Sequence, residues 1–276
     1  MTRLAVDSGV TLNVEVTGEG PAVLLLHGFM GSAAVWTPHL PALTAHYRVL
    51  AVDLVGHGGS DVPVDPSHYR MESVVQDLMA LLRAVDVGST ALLGYSMGAR
   101  VALNLAVAAP DLITHLILES GTAGLADAGE RRARRADDER RAWSIETRGV
   151  AAFADEWECL PLFATQRTLP SSVLEAQRRD RTRHVAVGLA NSLRCTGTGA
   201  QASLWETLET VTMPTLLVAG GLDDKFARIA REMAALIPCA SLAIVPDAGH
   251  AVHLEQPETF DGIVTDFLAR RSKSAS

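Results

Sequence analysis

A serine does covalent or proton-transfer chemistry only where a neighbour takes its proton, and one serine in this chain has the setting for it. Gly94-Tyr95-Ser96-Met97-Gly98 follows the apolar run Ala91-Leu92-Leu93 and opens a helical pattern over 99–109. A Gly-x-Ser-x-Gly stretch at a sharp strand-to-helix turn holds its serine in a strained backbone conformation. The small residues two before and two after it avoid clashes with the adjoining strand and helix. Such a turn lifts the Ser96 hydroxyl clear of the sheet and aims the following helix N-terminus at negative charge forming there. An acid and a histidine then follow in the order such a triad requires. The apolar run 215–220 reads as a buried strand ending in Gly221-Leu222-Asp223-Asp224, and strand 241–245 leads into Asp247-Ala248-Gly249-His250. Asp223 lies 127 residues after Ser96 and His250 a further 27 on, which leaves room for one helix, over 226–237, and one strand. Asp224 and Glu119 (at the end of the sixth strand) compete for the acid position. Asp223 is preferred because it comes first after its strand.

An oxyanion needs donors as well. Leu24-Leu25-Leu26 ends in His27-Gly28-Phe29, a His-Gly loop of the kind that supplies one backbone N–H. The expected pair of donors is the amides of Phe29 and Met97. Preorganised donors of this type are worth ~3 kcal/mol each. A third loop, Asp53-Leu54-Val55-Gly56-His57-Gly58-Gly59-Ser60, closes the fourth strand near the same end. Its glycines suit tight turns, and His57 reads as structural because the triad already has its base. A serine between glycines, this order of partners and this His-Gly loop together resemble the α/β-hydrolases.

These loops require a sheet to carry them. Apolar runs alternate with helical patterns, which predicts an α/β fold: an eight-stranded, mostly parallel sheet with helices on both faces. The strands fall at 4–6, 11–17, 22–27, 47–53, 91–95, 115–119, 215–220 and 241–245, and helices at 71–85, 97–109 and 257–271. Asp7-Ser8-Gly9-Val10 is a hairpin signal, so the sheet is expected to begin antiparallel. The alternation stops between about 121 and 206, where helices are predicted at 128–147, 149–158, 171–181 and 185–193. The predicted organisation is a core of 1–120 and 207–276 with an all-helical cap, 121–206, inserted after strand six. Thirteen of the 24 Lys and Arg residues lie within 121–203, every one an arginine, alongside eleven acidic residues. Pairs such as Glu130 with Arg134 account for many of these as a solvated surface. The absence of lysine fits less well with that. Arginine forms bidentate pairs with carboxylates and stays charged when partly buried, so some cap arginines are expected to face a small anionic substrate.

Composition narrows the class. The chain of 276 residues is 48% apolar and 20% charged, ordinary values for a globular protein. A formal net charge of −8 argues against nucleic acid as a partner. No apolar run reaches the ~20 residues of a membrane span, and the start, Met1-Thr2-Arg3-Leu4-Ala5-Val6-Asp7, shows no signal-peptide pattern. Cys159, Cys195 and Cys239 are odd in number and lack metal-ligand spacing, so a cytoplasmic setting without metal or cofactor is expected. The tail 270–276 reads as a frayed end.

Over nearly its whole length the chain also resembles one branch of that superfamily, the 2-succinyl-6-hydroxy-2,4-cyclohexadiene-1-carboxylate synthases of menaquinone biosynthesis. The resemblance rests on His27-Gly28-Phe29-Met30-Gly31, the 53–60 loop, and Gly94-Tyr95-Ser96-Met97-Gly98-Ala99-Arg100. It continues through Glu119-Ser120-Gly121-Thr122-Ala123-Gly124-Leu125 and the Arg-rich stretch 130–137. Trp157 with Pro161-Leu162-Phe163, then Asp223-Asp224-Lys225-Phe226, then Ala248-Gly249-His250-Ala251-Val252-His253 complete it. It implies elimination of pyruvate from 2-succinyl-5-enolpyruvyl-6-hydroxy-3-cyclohexene-1-carboxylate, a tricarboxylate. Arg100, Arg134 and Arg178 are then carboxylate clamps, with Tyr95 and Trp157 lining the pocket. Arg131 and Arg135 lie on nearly the same face as Arg134, and Arg179 or Arg181 would replace Arg178 after a small shift in alignment. The resemblance further implies that Ser96, paired with His250 and Asp223, acts as a base rather than a nucleophile. Met30 and Met97 depart from the small or branched residues expected at their positions. The alternative is a serine hydrolase of the same fold, a carboxylesterase or a carbon–carbon bond hydrolase, and from another class a small-molecule receptor with vestigial catalysis.

Overall fold

The central strands are apolar on both faces because both faces are covered. In a computed structural model that describes residues 2–269, Leu24 and Leu26 of strand β3 (Ala22–Leu26) enter one hydrophobic core. Val23 and Leu25, pointing the other way, enter a second. The same alternation splits β4 (Arg48–Asp53) and β5 (Thr90–Tyr95) between the two layers. With β1 (Thr2–Ala5), β2 (Thr11–Thr17), β6 (Ile113–Glu119), β7 (Thr215–Gly220) and β8 (Ala240–Val245), they form one sheet in the order β1-β2-β4-β3-β5-β6-β7-β8. β2 runs antiparallel to both β1 and β4, and every other pairing is parallel. β1 starts two residues earlier than its apolar pattern suggests, because an exposed edge strand is defined by its pairing (Leu4 opposite Leu12) rather than by burial.

Helices α1 (Leu40–Thr44), α2 (Met71–Ala84), α3 (Met97–Ala108), α8 (Asp224–Leu236), α9 (Val252–Glu255) and α10 (Pro257–Leu268) surround the sheet. Four more come between β6 and β7: α4 (Ala128–Arg148), α5 (Val150–Glu158), α6 (Ser171–Thr182) and α7 (Ala186–Thr196). The Asp127 carboxylate caps α4 by accepting from the Glu130 amide. Ala142, Ile145, Phe153, Ala154, Leu189, Ala190 and Leu193 give this helical layer a small core of its own. Arg134 turns forward to Asp138 at 2.8 Å instead of back to Glu130. Two 3-10 segments, Ala33–His39 and Pro161–Thr168, went unpredicted, since a three-residue turn carries no 3.6-residue apolar period. The predicted tail at 270–276 and the last residues of the predicted helix 257–271 lie outside the described residues.

Parallel strands deliver their carboxyl ends to one edge of the sheet, where open α/β folds bind ligands. Asp53, the last residue of β4, organises two of the loops there. Its Oδ1 accepts from the Ala33 amide at 2.6 Å, and its Oδ2 accepts from the Gly59 amide at 2.7 Å and from Asn13 Nδ2 at 2.8 Å. Gly58 is left-handed (φ 53°), and a Cβ there would strike the Asp53 carboxylate at 2.1 Å, which explains the glycine in this turn. Removing a buried carboxylate that satisfies several donors costs about 3–5 kcal/mol. Asp53→Ala should therefore lower the urea midpoint strongly with an unchanged m-value, and Asp53→Asn should lose clearly less; equilibrium unfolding followed by circular dichroism measures both.

Candidate active site

Ser96 adopts φ 52°, ψ −104° between β5 and α3, and the glycines around it leave no alternative. A Cβ on Gly94 would lie 2.3 Å from the Gly98 carbonyl oxygen, and one on Gly98 would lie 2.2 Å from the Leu26 carbonyl oxygen. The Ser96 amide donates to the Glu119 carbonyl at 2.8 Å, tying the turn to the end of β6.

His250 approaches from the loop after β8. Its Nε2 lies 3.1 Å from Ser96 Oγ and its Nδ1 lies 2.8 Å from Asp223 Oδ2. A carboxylate only accepts, so Nδ1 carries the proton and Nε2 faces the serine hydroxyl as acceptor. Asp223 Oδ1 accepts from the Phe226 amide at 3.1 Å and thereby caps α8. The structure brings Ser96, Asp223 and His250 together and leaves the two competing acids aside. Asp224 is exposed on the first turn of α8. Glu119 is fully buried and taken by His253, accepting from its ring Nδ1 at 2.9 Å and from its backbone amide at 3.1 Å. Glu255, which the sequence did not single out, brackets the base. It accepts from the amides on either side of His250, Gly249 at 2.7 Å and Ala251 at 3.2 Å.

Phe29 and Met97 both border the cavity above Ser96, and neither amide is engaged by another group among the described residues. Met97 is the first residue of α3, so its N–H has no intrahelical acceptor. The Phe29 amide belongs to the same peptide as the Gly28 carbonyl. That carbonyl accepts from His27 Nδ1 at 2.7 Å and from the Gly31 amide at 3.0 Å, which turns the N–H away from both. His27 Nε2 in turn accepts from the Leu54 amide at 3.0 Å. Burial lowers the His27 pKa below its ordinary value, against the pull of Asp53, in keeping with the neutral ring these two bonds require. His57 packs edge-on against Phe29 with its pKa well lowered by burial and by its neighbours His27 and His184. It holds the Val55 carbonyl at 3.2 Å.

The cavity encloses about 350 Å³. Tyr95 forms part of its wall and lies against Gly28, where a Cβ would meet the ring at 2.7 Å. Trp157 stacks on Phe153 and meets Phe29 edge-on. Arg100 is buried in the wall, where its Nη1 donates to the Thr196 carbonyl and to Gln201 Oε1. Burial, reinforced by the nearby Arg134, brings its pKa down to about 10, so it remains a cation at neutral pH. Arg134 also borders the cavity and uses only Nε on Asp138.

Arg178, expected as a carboxylate clamp, is placed differently from Arg100 and Arg134. It lies outside the cavity lining, with its guanidinium on Asp155 at 2.6 Å and on Glu158. Arg181, three residues on, faces inward at 5.6 Å over the Phe163 ring and holds Glu158 at 3.1 Å. Arg141 joins it, 5.4 Å over Trp157. Its spacing from Arg134, two helical turns on α4, was the available signal. With Lys225, five cationic side chains border the cavity against one carboxylate, Asp180.

The family model for the alpha/beta hydrolase fold matches residues 21–257. A Bacillus subtilis protein named putative 2-succinyl-6-hydroxy-2,4-cyclohexadiene-1-carboxylate synthase is 40% identical over 270 residues, covering 96% of this chain and 97% of that one. A 2-succinyl-6-hydroxy-2,4-cyclohexadiene-1-carboxylate synthase from Serratia proteamaculans is 30% identical, with 90% and 93% covered. Among solved structures, MenH from S. aureus superposes with a TM-score of 0.89 at 33% identity, over 93% of this chain and 97% of its own. No helix among the described residues is long and apolar enough to cross a membrane. By sequence and by fold, the chain belongs to the α/β-hydrolases and, among them, to the family of the 2-succinyl-6-hydroxy-2,4-cyclohexadiene-1-carboxylate synthases.

Proposed function

We propose that this enzyme is a carbon–oxygen lyase that eliminates pyruvate from 2-succinyl-5-enolpyruvyl-6-hydroxy-3-cyclohexene-1-carboxylate to give 2-succinyl-6-hydroxy-2,4-cyclohexadiene-1-carboxylate. The observation that carries the reading is the ring of five cations around a serine triad in a chain of net charge −8. A neutral ester has no use for that charge, whereas a tricarboxylate does. Ser96 Oγ, its own proton drawn toward His250 Nε2, removes the ring proton beside the succinyl ketone. Asp223 holds the imidazole in the required tautomer and balances the imidazolium that forms. The Phe29 and Met97 amides receive the charge that develops on the ketone oxygen. As the double bonds shift, the C–O bond to the enolpyruvyl group breaks, and the departing enolate takes up a proton to become pyruvate. No metal or cofactor enters this scheme.

Arg100, Arg134, Arg141 and Arg181 share the carboxylates in this reading, with Tyr95 and Trp157 shaping the pocket. Residues 121–206 serve as a cap over a core made of 1–120 and 207–276. The unpaired thiols of Cys159, Cys195 and Cys239 suit a reducing cytoplasm.

Ser96→Ala and His250→Ala should each lower turnover by several orders of magnitude while leaving the circular dichroism spectrum unchanged, and the double variant should be no worse than either. Asp223→Asn should lose far more than Asp224→Asn; the reverse order would move the acid to Asp224. Steady-state kinetics on the enolpyruvyl substrate measure all four.

The substrate class is tested on the arginines. Each charge-assisted contact contributes roughly 1.5–3 kcal/mol, so Arg134→Ala or Arg181→Ala should cost about ten- to a hundred-fold in kcat/KM for the tricarboxylate. Lysine should restore only part of that loss, and turnover of a small neutral ester should barely change. Arg178→Ala should stay near the parent on both. Equal losses on charged and neutral substrates would turn the reading toward an esterase.

A further inference from the structure

Met30 occupies a left-handed conformation, φ 61°, in the turn Gly28-Phe29-Met30-Gly31 that is closed by the Gly31 amide on the Gly28 carbonyl. A turn of this hand favours glycine at its third residue, and a side chain there is strained. Something outside the turn must hold it, and the helical layer does. The Met30 side chain is fully buried in the same small core as Ile145, Phe153 and Leu189. His184, in the short link between α6 and α7, binds the Met30 carbonyl through Nε2 at 3.1 Å, while its Nδ1 accepts from the Gly58 amide at 3.2 Å. A carbonyl can only accept and an amide can only donate, so the ring is the neutral Nε2–H tautomer. Two residues beyond Met30, Ser32 Oγ donates to the Asp180 carboxylate at 2.7 Å and accepts from Arg183 Nη2 at 3.0 Å. The segment 180–184 therefore grips 30–32 and reaches 58 at the same time.

We propose that His184 is a positioning residue for the oxyanion hole: from the helical layer it holds the strained Met30 turn that aims the Phe29 amide. Its partners, Met30 and Gly58, lie in loops at the carboxyl ends of β3 and β4, and the imidazole itself is not part of the cavity lining. A helical layer that merely covered the pocket would need no such bond. Here the donor geometry and the seating of the helices are one arrangement, so that an oxyanion forms fully stabilised only beneath a seated cap. Burial lowers the His184 pKa from its ordinary value, with Arg183 and His27 acting the same way and Asp180 opposing. His57 packs edge-on against the ring at 5.3 Å. The neutral form that the two bonds require is thus the form present at neutral pH.

The inference rests on the Phe29 amide being an oxyanion donor, and its test is built to fail separately from the proposed reaction. His184→Ala and His184→Gln are assayed on the enolpyruvyl substrate and on a neutral chromogenic ester, beside denaturant midpoints. Whichever substrate the parent enzyme turns over serves, so absence of lyase activity in the parent would count against the proposed reaction alone. Displacing an oxyanion donor without removing it should lower kcat by about ten- to a hundred-fold, with KM changed less than about two-fold. Glutamine, which keeps one donor and one acceptor, should recover part of the loss. Parental kcat in the alanine variant, a loss confined to KM, or a glutamine variant no better than alanine would overturn the assignment.

Discussion

Everything at this site hangs on one crowded crossing of backbones. Ser96 reaches the cavity only because β5 turns into α3 through a left-handed residue, and that turn exists only because Gly94 meets the Gly98 carbonyl while Gly98 meets that of Leu26. The two contacts join β3, β5 and α3 at the same point. Both amides assigned to the oxyanion hole start from that point as well: Phe29 three residues beyond Leu26, and Met97 as the residue after the serine. The positions of the serine turn and of the Met97 amide relative to β3 are thus set by backbone packing, which relaxes little, and the Phe29 turn leaves from the same point.

The other half of the triad is held by hydrogen bonds to main-chain amides. Asp223 serves His250 with one oxygen and caps α8 with the other, so the acid cannot swing without exposing a helix end. Glu255 accepts from the amides on both sides of His250 and fixes the base in the same manner. Glu119 works one strand away, giving its carbonyl to the Ser96 amide and its carboxylate to His253. Three buried or half-buried acids therefore surround the site, and of these only Asp223 meets His250 Nδ1. The division follows from strand order: β6 lies next to β5 and underlies the serine, whereas β7 lies next to β8 and faces the histidine.

What was legible in the sequence is what local rules decide. The strands, the glycine-flanked serine and the loops ending in Asp223 and His250 are each set by residues adjacent in the chain, and their predicted bounds fall within a few residues of those observed. The identity of the inward arginines was not legible. α4 and α6 carry charge on most of their surface, and α6 has no fully buried residue, so no apolar stripe states which face is turned inward. The rotation of α6 is decided by Arg178 and Arg181 finding Glu158 and by Ser32 finding Asp180, contacts between residues far apart in sequence. Met30 was hidden for a related reason. A methionine in a left-handed turn looks like a poor choice until the helical core that buries it is seen.

Charge and burial finally act against one another in the cavity, and the choice of arginine resolves the conflict. Arg100 is 8% exposed and still a cation, with its pKa brought down only to about 10. A lysine begins about two units lower and shifts readily when buried, so the same burial would bring it toward neutrality and remove the attraction for an anion. Arg134, Arg141 and Arg181 each spend part of a guanidinium on an acid of the helical layer, and the planar fork leaves further N–H groups directed elsewhere. A point charge engaged in the same way would have little left to offer a ligand. The helical layer can therefore be stitched together by its ion pairs and present positive charge to the serine with the same side chains.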